Sequence, residues 1–362
     1  MTIYGCNISY YTGKLETYLR YRGHDYELLP TVGNEKKLIA GAGAVQMPVV
    51  ETDDGRWMTD TTPMIAWLET QQDAPSIYPK DPALRFIALL IEDYADEWLW
   101  RPAMHYRWSY SLDRAFACRA IYEDIVKGNR AIPRWLALRL IKRRQLGGFV
   151  HGDGVTAKTW DHVERGYLTA LDRLEAIFKL RPFILGKTPT IADIGMMGPM
   201  LRHFGQDPTP AEIMRERAPS VYEWVARMWN LDPQRTKPQL ISKPDAALIA
   251  LLTEICETHL FQLRQNALAY DGKRKRYSQS IQGCDYINIP NSRYRVWCLE
   301  EQRREWADLP AKTQKTLKAS LHTSNAAILW EDFAFMPSEY DPERQAPFNK
   351  AINVFGAGVP PR

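Results

Sequence analysis

The sequence is short of cysteine and places what it has without pattern: Cys6, Cys118, Cys256, Cys284 and Cys298 are scattered, and no two are spaced C-x-x-C. That excludes a disulfide framework and a cysteine-based zinc site, and it points to reduced thiols in a cytoplasm. Histidine is scarce as well, and the seven present never form H-x-x-x-H, so no metal is expected. Neither charge sign dominates: 47 Lys and Arg against 43 Asp and Glu leave +4, too little to mark a nucleic-acid partner. No run of eighteen apolar residues occurs, so no spanning helix and no membrane association are expected. The opening MTIYGCNISYY lacks the basic stretch and apolar core of a secretory signal, and a cytoplasmic location is expected.

What is present is an ordinary globular composition, 45% apolar and 25% charged over 362 residues. That length suits two domains, or two plus an extension. Residues 2–8 read as a buried strand, Lys14 to Arg22 as a helix stopped by Gly23, 25–30 as a strand and 34–40 as a short helix. MPVVET and RWMT flank Asp53-Asp54-Gly55, the signal of an antiparallel hairpin, and TTPMIAWLETQ closes the unit as a helix. The order βαβαββα predicts a small α/β domain over 1–79. A Pro-rich linker, APSIYPKDP, separates it from a second, all-helical domain over 82–231. Its helices are expected at 83–109 (kinked at Pro102), 113–127, 131–145, 158–179, 191–204 and 219–230. Residues 232–362 form an extension with an apolar helix from Ala246 to about Ala269 and no recognisable motif beyond it.

Four segments together resemble the cytosolic glutathione transferases: the opening strand-turn-helix, Val45-Gln46-Met47-Pro48-Val49-Val50, Thr59-Asp60-Thr61-Thr62-Pro63-Met64-Ile65, and Phe183-Ile184-Leu185-Gly186 followed by Pro189-Thr190-Ile191-Ala192-Asp193. The resemblance spans roughly 1–231. It implies a thioredoxin-like domain with a cis proline at Pro48, an all-α domain, glutathione as co-substrate, a hydrophobic electrophile as second substrate, and a homodimer. Met47 would offer its backbone to the cysteinyl part of glutathione in β-like pairing. Asp60 and Thr61, at a helix N-terminus, would take the ammonium and carboxylate of the γ-glutamyl end, and Gln46 would reach the glycyl end. Thr190 and Asp193 are structural, since S/T-x-x-D ahead of an apolar helix is a capping box.

A glutathione transferase must hold a thiol as thiolate, although a free thiol titrates near about 8.5. A hydroxyl donor at a helix N-terminus can stabilise that anion. Lys14 lies five residues after Ser9, as a basic residue lies five after the first cysteine of the C-P-Y-C redox motif. Ser9 therefore falls where serine-type transferases carry their catalytic serine, with Tyr10 in place of the usual proline. Tyr11 and Tyr10 are the competing hydroxyls, whereas Cys6 and Tyr4 fall inside the predicted strand as core. Tyr10, Trp100, Met104 and Trp108 are expected to wall the electrophile pocket, and Asp93 and Asp96 to reach glutathione from a dimer partner. The basic runs at 130–145 and Lys273-Arg274-Lys275-Arg276 read as solvated surface. Three other readings stay open: a glutathione-dependent lyase, isomerase or dehalogenase, a non-catalytic interaction protein of the same fold, and a membrane-apposed organiser resting only on the basic helix at 130–145.

Overall fold

A computed structural model describes residues 1–126, 133–233, 236–321 and 323–352. The expected helices at 113–127 and 131–145 touch residues 127 and 131–132, and those positions lie outside the described residues, as do the start of the 130–145 basic run and the tail beyond 352.

The first unit has the expected βαβαββα order. β1 (Thr2–Tyr4), β2 (Glu27–Leu29), β3 (Val49–Glu51) and β4 (Trp57–Thr59) form one sheet in the order β2-β1-β3-β4. β1 runs parallel to β2 and antiparallel to β3, and Val49 faces Thr59 across the Asp-Gly turn, whose Gly55 has φ 81°. α1 (Tyr10–Arg22), α2 (Glu35–Ala42) and α3 (Thr61–Thr70) complete it. α1 starts four residues earlier than its apolar period suggested. Ser9, extended at φ −79° and ψ 133°, accepts the Thr12 N–H at 3.3 Å and so caps the helix ahead of Lys14.

The helical section comprises α4 (Pro82–Glu97), α5 (Trp100–Ser109), α6 (Ser111–Ile121), α7 (Arg134–Gln145), α8 (Trp160–Phe178), α9 (Ile191–Pro199), α10 (Pro208–Arg217) and α11 (Pro219–Trp229). The single kinked helix expected at 83–109 is two helices. Pro102 sits in the first turn of α5, where its missing N–H costs nothing, and its ring forbids a continuous helix through the carbonyl of Trp98. α9 packs against both α1 and α4 at close range. A Cβ on Gly195 would lie 2.8 Å from Glu92 Cα, and one on Gly198 would lie 3.0 Å from the Tyr10 ring. At its start the Asp193 carboxylate accepts the N–H of Thr190 at 3.0 Å, of Ile184 at 2.9 Å and of the Trp224 indole at 3.2 Å, in the structural role expected of it.

Residues beyond 231 fold against this frame. α12 (Ala246–Ile255) and α13 (Phe261–Asp271) form one nearly continuous helical run joined by a wide turn. By length and composition alone Ala246–Asp271 could cross a membrane, contrary to expectation, but 56% of its apolar window is buried inside the protein, as in a core helix. β5 (Arg276–Ile281) and β6 (Cys284–Pro290) form a hairpin, followed by α14 (Arg293–Ala307) and α15 (Ala311–Ser320). The last described segment runs along the open edge of the first sheet. Pro347 O accepts the Thr59 N–H at 2.8 Å, and the Ala351 N–H donates to Ala42 O at 2.8 Å. An otherwise unpaired edge is thereby covered.

A buried ammonium joins the first unit to the second. Lys14 is fully buried and donates to Glu92 Oε1 at 2.6 Å, Asp96 Oδ2 at 2.5 Å and Thr62 Oγ1 at 3.0 Å. Burial alone would lower its pKa, but Asp96 and Glu92 outweigh that and hold the ammonium charged. Replacing it by Lys14→Met leaves two carboxylates buried without their cation. Urea unfolding of that variant should show a loss of about 3–5 kcal/mol.

Candidate active site

The opening loop, the proline turn and the start of α3 meet on one side of α1. Cys6 Sγ lies 3.8 Å from Met47 Sδ, and the Met47–Pro48 bond is cis. Lys14, five residues past Ser9, touches Thr62 in the first turn of α3. Ser9, Met47, Pro48, Asp60 and Thr61 thus belong to three segments that contact one another. Gln46 and Met47 are half-buried, while Pro48 and Thr61 are buried.

The hydroxyls of the opening stretch have different tasks. Ser9 Oγ acts as acceptor for the Thr12 N–H, which leaves its own proton to donate. Tyr10 is buried and its phenol donates to Ala95 O at 2.5 Å; Tyr11 donates to Asp96 O at 3.0 Å. Burial pushes both phenols well above their usual pKa, with Asp96 and Glu97 adding to the effect. Cys6 is buried, and loss of hydration raises its thiol to about 11, which makes it inert at neutral pH.

Of the four residues expected to wall an electrophile pocket, only Trp100 keeps a partly exposed ring. It stacks on Tyr11 at 5.6 Å and meets the edge of Phe149 at 5.7 Å. Tyr10, Met104 and Trp108 are core residues: Tyr10 is buried on α1, and Met104 and Trp108 are buried on α5, which packs against α6 and α8. Asp93 and Asp96 do not await a second subunit. Asp96 holds Lys14, and Asp93 pairs with His259 at 2.8 Å, so both are engaged within one chain.

One positioning element was not read from the sequence. Arg107, buried in α5, donates to Ile8 O at 2.7 Å, directly before Ser9, and grips Asp207 through two nitrogens at 2.7 and 3.0 Å. Burial, with Arg107 next to it, drives His203 well below its usual pKa. The neutral ring accepts from Arg107 at Nε2, 2.9 Å away, which leaves Nδ1 to donate to Ala103 O at 3.3 Å. Burial raises Asp207 to about 6 against the pull of Arg107. Arg and Asp one hundred residues apart carry no local signal, so only the fold reveals the pair.

Residues 3–76 match the N-terminal domain of glutathione S-transferase, and residues 157–227 match its C-terminal domain. The chain is a glutathione S-transferase superfamily protein. Among solved structures it is similar to a glutathione S-transferase from Rhodospirillum rubrum F11, at 19% identity over 68% of this chain and 97% of that one, with a TM-score of 0.43. It is also similar to the β-etherase LigF from Sphingobium sp. strain SYK-6, at 18% identity over 64% of this chain and 95% of that one, with a TM-score of 0.46. A third, a glutathione S-transferase from Xanthobacter autotrophicus Py2, shows 21% identity over 67% and 96% with a TM-score of 0.40. A comparison with curated proteins found no match. The section after residue 231 lies outside both domain matches.

The Arg107 anchor is testable by stability. Asp207→Ala leaves a buried guanidinium without its carboxylate, and denaturant unfolding should report a loss of about 3–5 kcal/mol. A loss below about 1 kcal/mol would mean that the His203 ring and the carbonyls of Ile8 and Arg202, which also accept from Arg107, satisfy it without Asp207.

Proposed function

We propose that this superfamily member is a glutathione transferase of the serine type, acting on a hydrophobic electrophile. The observation that carries the reading is the division of labour among hydroxyls: Ser9 caps α1 with its proton free, while Tyr10 and Tyr11 have donated theirs to carbonyls of α4. The glutathione thiol would lose its proton to solvent, and the thiolate would accept the Ser9 O–H and face the start of α1. The sulfur pair then attacks the electrophilic carbon, whose leaving group departs with the bonding electrons. Serine keeps its proton throughout; it lowers the thiol pKa by binding the anion more strongly than the acid.

The remaining contacts follow from the same placement. The Met47 backbone supports pairing with the cysteinyl part, Asp60 and Thr61 receive the γ-glutamyl end, and Gln46 reaches the glycyl end. The partly exposed Trp100 and Tyr11 rings supply an apolar flank for the second substrate.

Calorimetry with glutathione, paired with an aromatic-halide conjugation assay, tests this. Ser9→Ala should lower kcat by about ten- to a hundredfold, the cost of one hydrogen bond to a charged sulfur, with glutathione affinity little changed. Unchanged turnover in Ser9→Ala, with a loss in Tyr11→Phe, would transfer the role to the tyrosine.

A further inference from the structure

The extension reaches the site. Asp60 stands at the N-cap of α3 with φ 67°, and its Oδ1 accepts the Thr62 N–H at 3.3 Å and the Tyr294 hydroxyl at 3.2 Å. Its Oδ2 accepts the Tyr340 hydroxyl at 3.3 Å. Tyr294 lies in the first turn of α14, and Tyr340 lies on the irregular segment that leads to the sheet edge. Both phenols come from beyond residue 231, more than two hundred residues from Asp60 in sequence.

Their positions do not depend on the hydroxyls. Trp297, one turn along α14 from Tyr294, packs on the Tyr294 ring at 5.2 Å and on the Tyr340 ring at 5.1 Å. The two tyrosines meet edge to face at 5.1 Å. Upstream, Ser338 is pinned to Glu300 through its N–H at 2.7 Å and its hydroxyl at 2.6 Å. Ring packing and these anchors therefore aim the hydroxyls at Asp60.

The contacts suit a carboxylate kept ready for a cation. Neutral donors at 3.2 and 3.3 Å, longer than the usual O–H···O bond, orient the anion while leaving much of its charge unspent. The cation that acts on Asp60 within the protein, Lys14, is engaged by Glu92 and Asp96. We propose that the C-terminal section is a working part of the glutathione site, with the Tyr294 and Tyr340 hydroxyls positioning the Asp60 carboxylate for the ammonium of the γ-glutamyl end. This rests on the reading of Asp60 as a glutathione contact.

The ionisation of Asp60 gives the proposal a signature. Burial raises its carboxyl to about 6; Lys14, then Tyr294 and the Thr62 N–H, oppose the rise, while Glu92 adds to it. Tyr340 and Cys298 from the extension and Tyr11 from α1 also face its charge. An ammonium needs the anion, so affinity is present above that pKa and is lost as pH falls through it. Removing two donors to the anion moves the loss to higher pH.

The test uses the full chain with Tyr294→Phe/Tyr340→Phe, which keeps both rings, and Tyr340→Phe alone as the milder variant. Glutathione affinity is measured by calorimetry from about pH 5 to about pH 8, together with that of the glutaryl analogue lacking the ammonium. The double variant should bind glutathione about fivefold more weakly at neutral pH, with the acid limb shifted upward and the analogue unaffected. Tyr340→Phe alone should give a smaller change of the same sign. An unchanged affinity and midpoint overturns the proposal, as does an equal loss for both ligands, which marks a general defect. Tighter glutathione binding overturns it too, since the phenols would then compete with the ammonium. A wild-type protein that binds neither ligand is a separate outcome, one that removes the glutathione reading and this proposal with it.

Discussion

A fully buried ammonium is stable only if carboxylates surround it, and in this protein that requirement binds three helices together. Lys14 on α1 is met by Glu92 and Asp96 on α4 and by Thr62 at the start of α3. Ser9 caps the same helix five residues before Lys14, and Asp60 lies two residues before Thr62. One ionic contact therefore ties together the segments that carry the candidate thiol donor and the candidate ammonium acceptor. α9 can press against α1 and α4 around that contact because Gly195 and Gly198 present no side chain to them.

The acidic end of α4 serves two sides of the molecule. Residues four apart share a helix face, so Glu92 and Asp96 form one row and Asp93 and Glu97 another. The first row takes Lys14; the second takes His259 at 2.8 Å and Arg295 at 3.1 Å, both from the extension. Burial raises the Glu97 carboxyl, while Arg295 opposes the rise. With both rows engaged within one chain, α4 is enclosed between α1 and α9 on one side and the C-terminal section on the other. That enclosure carries α14, and with it Tyr294, to the start of α3.

Legibility followed the range of the interactions. The Asp53-Asp54-Gly55 hairpin, the Met47-Pro48 turn and the Asp193 cap each depend on neighbours within a few residues, and all three are in place. The β5–β6 hairpin escaped notice because its turn is Gln282-Gly283 instead of Asn-Gly or Asp-Gly. Its two residues nonetheless take φ 49° and 78°, the left-handed pair of a tight hairpin turn. Pro102 was visible as a disruption, but a kink and a first-turn proline look alike until the break at Trp98 and Leu99 is seen. Met104 and Trp108 show the reverse error. Aromatic and sulfur side chains suit a pocket wall and a core equally, and here the packing of α5 made them core.

The order of elements and the small α/β unit followed by helices are written in local periodicity, turn chemistry and spacing, whereas the serine register ahead of Lys14 is what the family resemblance implies. The partners of charged groups are not written locally, because a carboxylate is satisfied equally well by a cation ten or two hundred residues away. Folding paired Arg107 with Asp207, gave Asp93 to His259, and brought Tyr294 and Tyr340 onto Asp60. Only the packed chain could choose among those partners, since the choice depends on which side chains share a site from which water is removed.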